Sequence, residues 1–349
     1  MATTMQSSAV QSTAAPNPAP LLRIIMESLP LNQSLFAAAE LGVADLLAAG
    51  PKSTAQLAAE LKADESSLGR VLRLLAAHSI FAETAPSTFS NTELSHYLRS
   101  GVPGSVRAMA RFRGTEFFYA SFGQILHSVH TGDPARSKVL GMDGWEYLER
   151  NPEMARIFDD AMTDLSALIA PGIAAAYDFS NWDTIMDVGG GNGVLLAAIL
   201  HEHPTLQGVL ADQQHVLDRA RQRSFLSGEL EARSSMQPCD LFNDIPAGCR
   251  AYVMKSVIHD WNDSDSKRIL SRCRNVVPSD GALLLVEFNL PEDNSPSRGR
   301  FVDVTMMVLT GGKERTITEY SALFAATGFR LNQVVRTASD FNIIEALPV

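Results

Sequence analysis

The sequence predicts an α/β protein, a parallel sheet covered by helices on both faces, preceded by a mainly α N-terminal unit. Three observations carry this. After Trp182, short apolar strand-like runs alternate with helical patterns, the arrangement that feeds a parallel sheet. Between Leu21 and Leu75, apolar residues recur at three- and four-residue steps, which is helical spacing. The chain has 349 residues, and at roughly 150 residues per domain this supplies about two hydrophobic cores.

Composition narrows the function. With 46% hydrophobic and 19% charged residues, most of the chain is unlike a disordered protein. Apolar runs such as Ala282 to Val286 fall far short of the roughly 20 residues of a membrane-spanning helix. A net charge of −10 gives no general attraction to nucleic acid or anionic lipid, so a small molecule is the expected partner. Cys239, Cys249 and Cys273 are odd in number and lack C-x-x-C spacing. That argues against a disulfide framework or thiolate zinc site and for a reducing, cytoplasmic setting.

Residues 1–20 contain no Lys or Arg and no continuous apolar stretch, which matches neither a secretory nor a transit signal and predicts a disordered tail. Residues 21–110 open with Leu22, Ile25, Leu29 and Leu35 on one helical stripe. Ser53 is placed to cap a helix over Leu57 and Leu61, and Asp64 a second over Leu68, Val71, Leu72 and Leu75. Phe81 to Leu98 alternates like a small ribbon, so the order reads as a winged helix. Pro51 to Ser100 carries five basic and five acidic residues, leaving no net positive charge for phosphates. A packing or dimer-forming unit is therefore expected rather than a DNA-binding one. Residues 111–180 read as a helical linker and pocket region. Met154, Ile157, Phe158, Ala161, Met162 and Leu165 form one stripe there, with Met162 placed to reach a neighbouring cleft.

From 181 to 349 the predicted strands are Thr184 to Val188, Leu206 to Ala211, Ala251 to Val257 and Ala282 to Phe288, closed by a hairpin of Phe329 to Arg336 and Phe341 to Leu347. After the first comes Asp187-Val188-Gly189-Gly190-Gly191-Asn192-Gly193, a glycine loop opening a helix. Dinucleotide sites want glycine at the sixth position from Gly189, where Val194 stands, and no Gly-Lys-Ser/Thr follows for a phosphate loop. What remains is G-x-G-x-G with an acid, Asp212, at the end of the next strand, a pairing suited to ribose hydroxyls. A nucleoside cofactor without a phosphate cradle follows, and S-adenosylmethionine fits.

His259, in Met254-Lys255-Ser256-Val257-Ile258-His259-Asp260-Trp261-Asn262-Asp263, lies past a strand's carboxyl end, where open α/β sheets place their ligands. Glu287 ends the neighbouring strand and should face the same cleft. Glu314, in Gly311-Gly312-Lys313-Glu314-Arg315-Thr316, is a second carboxylate that can orient the imidazole. His201 and His203 lack a third nearby ligand, so no metal is expected.

These three motifs, in this order, resemble those of the S-adenosylmethionine-dependent O-methyltransferases of the plant caffeate type and their bacterial natural-product relatives. The resemblance covers Leu21 to Val349. It implies a Rossmann-like methyltransferase sheet behind a winged-helix dimerisation domain, and a homodimer. It further implies that His259 is the general base flanked by Glu287 and Glu314, and that Gly189, Gly191 and Gly193 surround the cofactor. Asp212 would hold the ribose, Asp240 and Leu241 the adenine, and Lys255 and Trp261 would complete the pocket. Met162, Asp260 and Met306 are the candidate substrate contacts. Leu241 stands where plant members often carry Met, and Thr305 to Thr310 departs from their aromatic-acid pocket, so substrate identity does not carry over. The expected reaction is methyl transfer to a phenolic oxygen of a small aromatic substrate, with N- or C-methylation or a non-methylating use of the cofactor as alternatives. A phenol near pKa 10 and an imidazole near 6.5 differ by about 3.5 units, so complete proton transfer before attack costs roughly 5 kcal/mol.

Overall fold

The computed structural model describes residues 19–349. The tail expected at residues 1–20 lies outside the described residues apart from its last two, which begin a helix, Ala19–Leu41. Gly42, at φ 71°, ends that run in a left-handed turn before the short helix Val43–Leu46. Ser53 caps helix Thr54–Leu61 in a reciprocal box with Gln56, and Asp64 caps helix Glu65–Ala77 by accepting from the Ser67 amide. Each cap satisfies amides that the first helical turn leaves free. An antiparallel ribbon, Phe81–Ala85 with Thr88–Asn91, gains Lys52–Ser53 as a third strand. Leu57, Leu72, Leu75, Phe81 and Phe89 are buried together as the core of this unit.

Six helices fill the middle of the chain, ending in the long helix Pro152–Ala176. Helix Arg107–Gly114 runs through position 110 and packs on both the first helix and the long one. No break in the chain therefore falls at the boundary expected there. Gly114 lies against the Phe36 ring with no room for a β-carbon.

The C-terminal part is built on seven strands: β1 (Thr184–Val188), β2 (Gln207–Asp212), β3 (Ser234–Pro238), β4 (Ala251–Lys255), β5 (Ala282–Glu287), β6 (Phe329–Arg336) and β7 (Asn342–Pro348). Their spatial order is β6-β7-β5-β4-β1-β2-β3. The first five are mutually parallel, and β7 and β6 close one edge antiparallel. Two apolar layers cover the faces, one around Ile173, Leu196 and Leu200, the other around Ile269, Leu270 and Phe324.

Two expectations need correction. Strand β3 was not expected: Ser-Ser-Met-Gln-Pro is a half-exposed edge with no apolar run to reveal it. Strand β4 stops at Lys255 rather than Val257, because Ser256 takes φ 55° and turns the chain into the short 3₁₀ turn Ile258–Asp260. Among the described residues, no helix is long and apolar enough to cross a membrane.

Candidate active site

The chain reverses direction across the sheet between β1 and β4, the switch point where open α/β folds form a crevice beyond their strand ends. A cavity of about 590 Å³ lies there. The glycine loop enters it because Gly189 and Gly191 sit at φ 69° and 58°, a region that costs other residues strain. A β-carbon at Gly191 would meet nothing, so the backbone there faces open space. Gly193 does not line the cavity. It caps helix Val194–Glu202 at φ 79° and packs against Leu226 and Leu210, whereas Gly190, not expected as a site residue, does line it.

Asp212 braces this loop. Its Oδ2 accepts the Gly191 amide at 2.9 Å and its Oδ1 accepts the Gln213 amide at 2.7 Å. Burial pushes its pKa up, and these two amides oppose the shift. Asp240 accepts from the Phe242 amide and the Asn243 side chain, which hold its pKa below the ordinary range. Leu241, Lys255 and Trp261 line the same end, with Trp261 edge-on to Phe242 at 4.7 Å. Asp187 contributes two buried carboxylate oxygens with no partner among the described residues, and burial pushes its pKa up to about 7. An end lined by three carboxylates, one lysine and exposed glycine backbone suits a ligand that brings hydroxyls and positive charge. S-adenosylmethionine has both, in its ribose, ammonium and sulfonium groups.

His259 lines the cavity beside Asp260. Its Nδ1 lies 2.6 Å from Glu314 Oε1 and 3.6 Å from Glu287 Oε2. With Nδ1 so engaged, Nε2 is the ring nitrogen with no hydrogen-bond partner among the described residues. Glu287 does not face the cleft as expected. It is fully buried behind the imidazole, and its Oε1 accepts the amides of Val257 and Ile258 at 3.1 and 2.9 Å. Glu314 is likewise buried behind the ring. Both therefore contact the His259 ring from behind rather than lining the cavity. Burial disfavours the imidazolium, but Glu287 and Glu314 outweigh it and raise the His259 pKa to about 10.

The loop bearing Glu314 is held by close approach. Gly312 lies on the His259–Asp260 backbone with no space for a β-carbon, and the fully buried Arg315 donates to the Ile258 and Trp261 carbonyls. The donor atoms of His259, Glu287 and Glu314 lie within 4.8 Å of one another, close enough for a metal, yet the closest pair is already in hydrogen-bond contact.

Met162, Asp260 and Met306 all line the cavity. Sequence reasoning missed Asn192, whose amide donates to Thr163 at 2.7 Å, the aromatic wall of Phe112, Phe118, Trp145 and Phe158, and Arg136. Only the period of the long helix hinted at any of these, through Phe158.

Comparison with known proteins places the chain in a family. Residues 122–330 match the family model described as the O-methyltransferase domain, and residues 25–101 match the O-methyltransferase dimerisation domain. The chain is 40% identical to the phenazine O-methyltransferase PhzM of Lysobacter antibioticus, over 95% of this chain and 97% of that one. It is 32% identical to the phenazine-1-carboxylate N-methyltransferase of Pseudomonas aeruginosa, over 90% and 93%. The crystal structure of LaPhzM superposes with a TM-score of 0.92 at 40% identity, covering 96% of this chain and all of that one. An O-methyltransferase from neocarzinostatin biosynthesis, crystallised with S-adenosyl-L-homocysteine and 1,4-dihydroxy-2-naphthoic acid, gives 0.81 at 31% identity, covering 93% and 98%. The chain belongs to the S-adenosylmethionine-dependent O-methyltransferase family. It is a methyltransferase with a Rossmann-like sheet and an N-terminal dimerisation domain.

Proposed function

We propose that this enzyme methylates a phenolic hydroxyl of a small aromatic natural product, with His259 as general base and without a metal. The observation that carries the reading is the imidazole pinned at Nδ1 by Glu314, 2.6 Å away, in a residue that lines the cavity. Gly189, Gly191, Asp212, Asp240, Leu241, Lys255 and Trp261 are the residues that would hold S-adenosylmethionine. When bound, it supplies an electrophilic methyl group on a sulfonium sulfur.

The chain's own contribution is proton control and alignment. Nδ1–H donates to Glu314, which fixes the tautomer and leaves Nε2 to take the hydroxyl proton. The positive charge that forms is met by Glu314 and Glu287. Raising the imidazole toward the phenol range makes the transfer itself nearly balanced. The cost moves to keeping the imidazole unprotonated, so it becomes a dependence on pH. An amine or ring nitrogen attacks through a free lone pair and needs no such base, so a carboxylate-braced histidine favours oxygen as the acceptor.

The test follows from the sign. Carboxylates beside His259 favour the imidazolium, so the free base forms only as pH rises. The kcat/KM profile should therefore ascend through a limb above 6.5, the ordinary imidazole value. Glu314→Gln removes one of those charges and should move that limb down by about 1 to 3 pH units. A limb that stays put in this variant would contradict the proton-control role.

We also infer a symmetric homodimer. Leu22, Ile25, Met26 and Leu29 of the first helix are exposed, Met26 by 73%, and the last three open the region matching the dimerisation model, residues 25–101. An obligate interface of this kind buries more than roughly 2,000 Å². Deleting residues 1–20 should leave a dimer in sedimentation, and deleting through Leu47 should give aggregation or loss of fold. A compact, active monomer after the longer deletion would overturn this.

A further inference from the structure

We propose that Arg136 is an anion-recognition residue, and that the aromatic substrate carries a carboxylate as well as the hydroxyl to be methylated. The proposal deepens the phenol-methylation reading and rests on it for the identity of the cavity. Arg136 lies on helix Ala135–Leu140, is only 3% exposed, and lines the same cavity as His259. None of its five N–H donors has a hydrogen-bond or ion-pair partner among the described residues, and its Nε is fully enclosed. Buried guanidinium groups are ordinarily paired, because an unpaired buried charge is costly.

The surroundings are shaped to keep the group there. Its guanidinium carbon stands 4.8 Å from the Phe117 ring centroid and 5.8 Å from that of Trp145. Aromatic faces hold a cation while leaving its N–H edge free. Gly144 packs directly on the guanidinium, where any β-carbon would displace it. The acids that act on it through space, Asp260 and Asp143, form no ion pair with it. Burial lowers its pKa to about 10, so it is charged at neutral pH.

A planar fork of unused donors in an aromatic-walled cavity matches the two oxygens of a carboxylate, which it can bind through paired hydrogen bonds. One buried cation balances one such charge. The aromatic wall takes the ring between them, with the hydroxyl at His259 and the acid at Arg136.

The test is calorimetric binding of hydroxynaphthoate isomers and the corresponding naphthols to the dimeric enzyme saturated with S-adenosylhomocysteine. The wild type should bind at least one hydroxynaphthoate about 10- to 100-fold more tightly than its naphthol, the range of a charged hydrogen-bonded contact. Arg136→Met should abolish that preference while leaving naphthol and cofactor affinity within about 3-fold. Arg136→Lys keeps the charge without the fork and should retain part of it, which also covers a Met variant that does not fold. No preference in the wild type, including no binding of any acid, or an equal preference in both variants, overturns the proposal. Failure of methyl transfer to any phenol would instead remove the reaction assignment, since binding is read without turnover.

Discussion

Replacing His259 by Gln should lower kcat by about 10²- to 10⁴-fold, the usual contribution of a positioned general base, while S-adenosylmethionine binds with unchanged affinity. Gln is the informative replacement. Its amide can still donate to Glu314, so Glu287 and Glu314, both buried, are not left facing each other without a donor. His259→Ala removes that donor, and one buried carboxylate should then take up a proton, since two close negative charges in an apolar setting cannot both persist. Comparable losses in the Gln and Ala variants, with similar melting temperatures, would show that the base itself is what is missing. An unaltered rate in either variant removes His259 from the mechanism.

The second large effect is on cofactor affinity. Asp212→Ala should weaken S-adenosylmethionine by about 10- to 100-fold, the range for losing hydrogen bonds to a charged acceptor. Two losses coincide there. The ribose hydroxyls would lose their proposed acceptor, and the Gly191 amide, held by Asp212 at 2.9 Å, would lose the anchor that shapes the loop. Asp212→Asn should not rescue binding. Both oxygens accept backbone amides, so an NH₂ in place of either sets donor against donor. Calorimetry on both variants checks this, and unchanged affinity would sink the ribose assignment.

Much of this architecture was legible because its signals are contiguous in the chain. The glycine loop, the histidine just past a strand and the Gly311 to Thr316 turn each announce a local backbone requirement, and alternation of strand and helix fixes where strand ends gather. What was not legible depends on tertiary contact. β3 is a polar edge with no apolar period. Gly193 belongs to the same motif as Gly191, yet it faces Leu226 rather than the cavity, a distinction made only by the rest of the fold. Glu287 ends a strand as expected, but the neighbouring loop folds over it and turns it from a cleft residue into a brace behind His259. Arg136 sits in Asp133-Pro134-Ala135-Arg136-Ser137-Lys138, which reads as a solvated helix start. Its burial is created by Phe117, Gly144 and Trp145 from other helices.

The proposed reaction is methyl transfer in this cavity to an aromatic hydroxyl, with His259 taking the proton. The most direct measurement is the fate of a carbon-13 methyl label from S-adenosylmethionine, followed by NMR in chelator-treated enzyme with a panel of hydroxylated arenes that also offer ring nitrogens and amines. The label should appear on an aryl oxygen as a methyl ether, at a rate the chelator leaves unchanged and that falls in His259→Gln. Label found on nitrogen or carbon, or transfer that stops with the chelator and returns with added metal, would contradict the account.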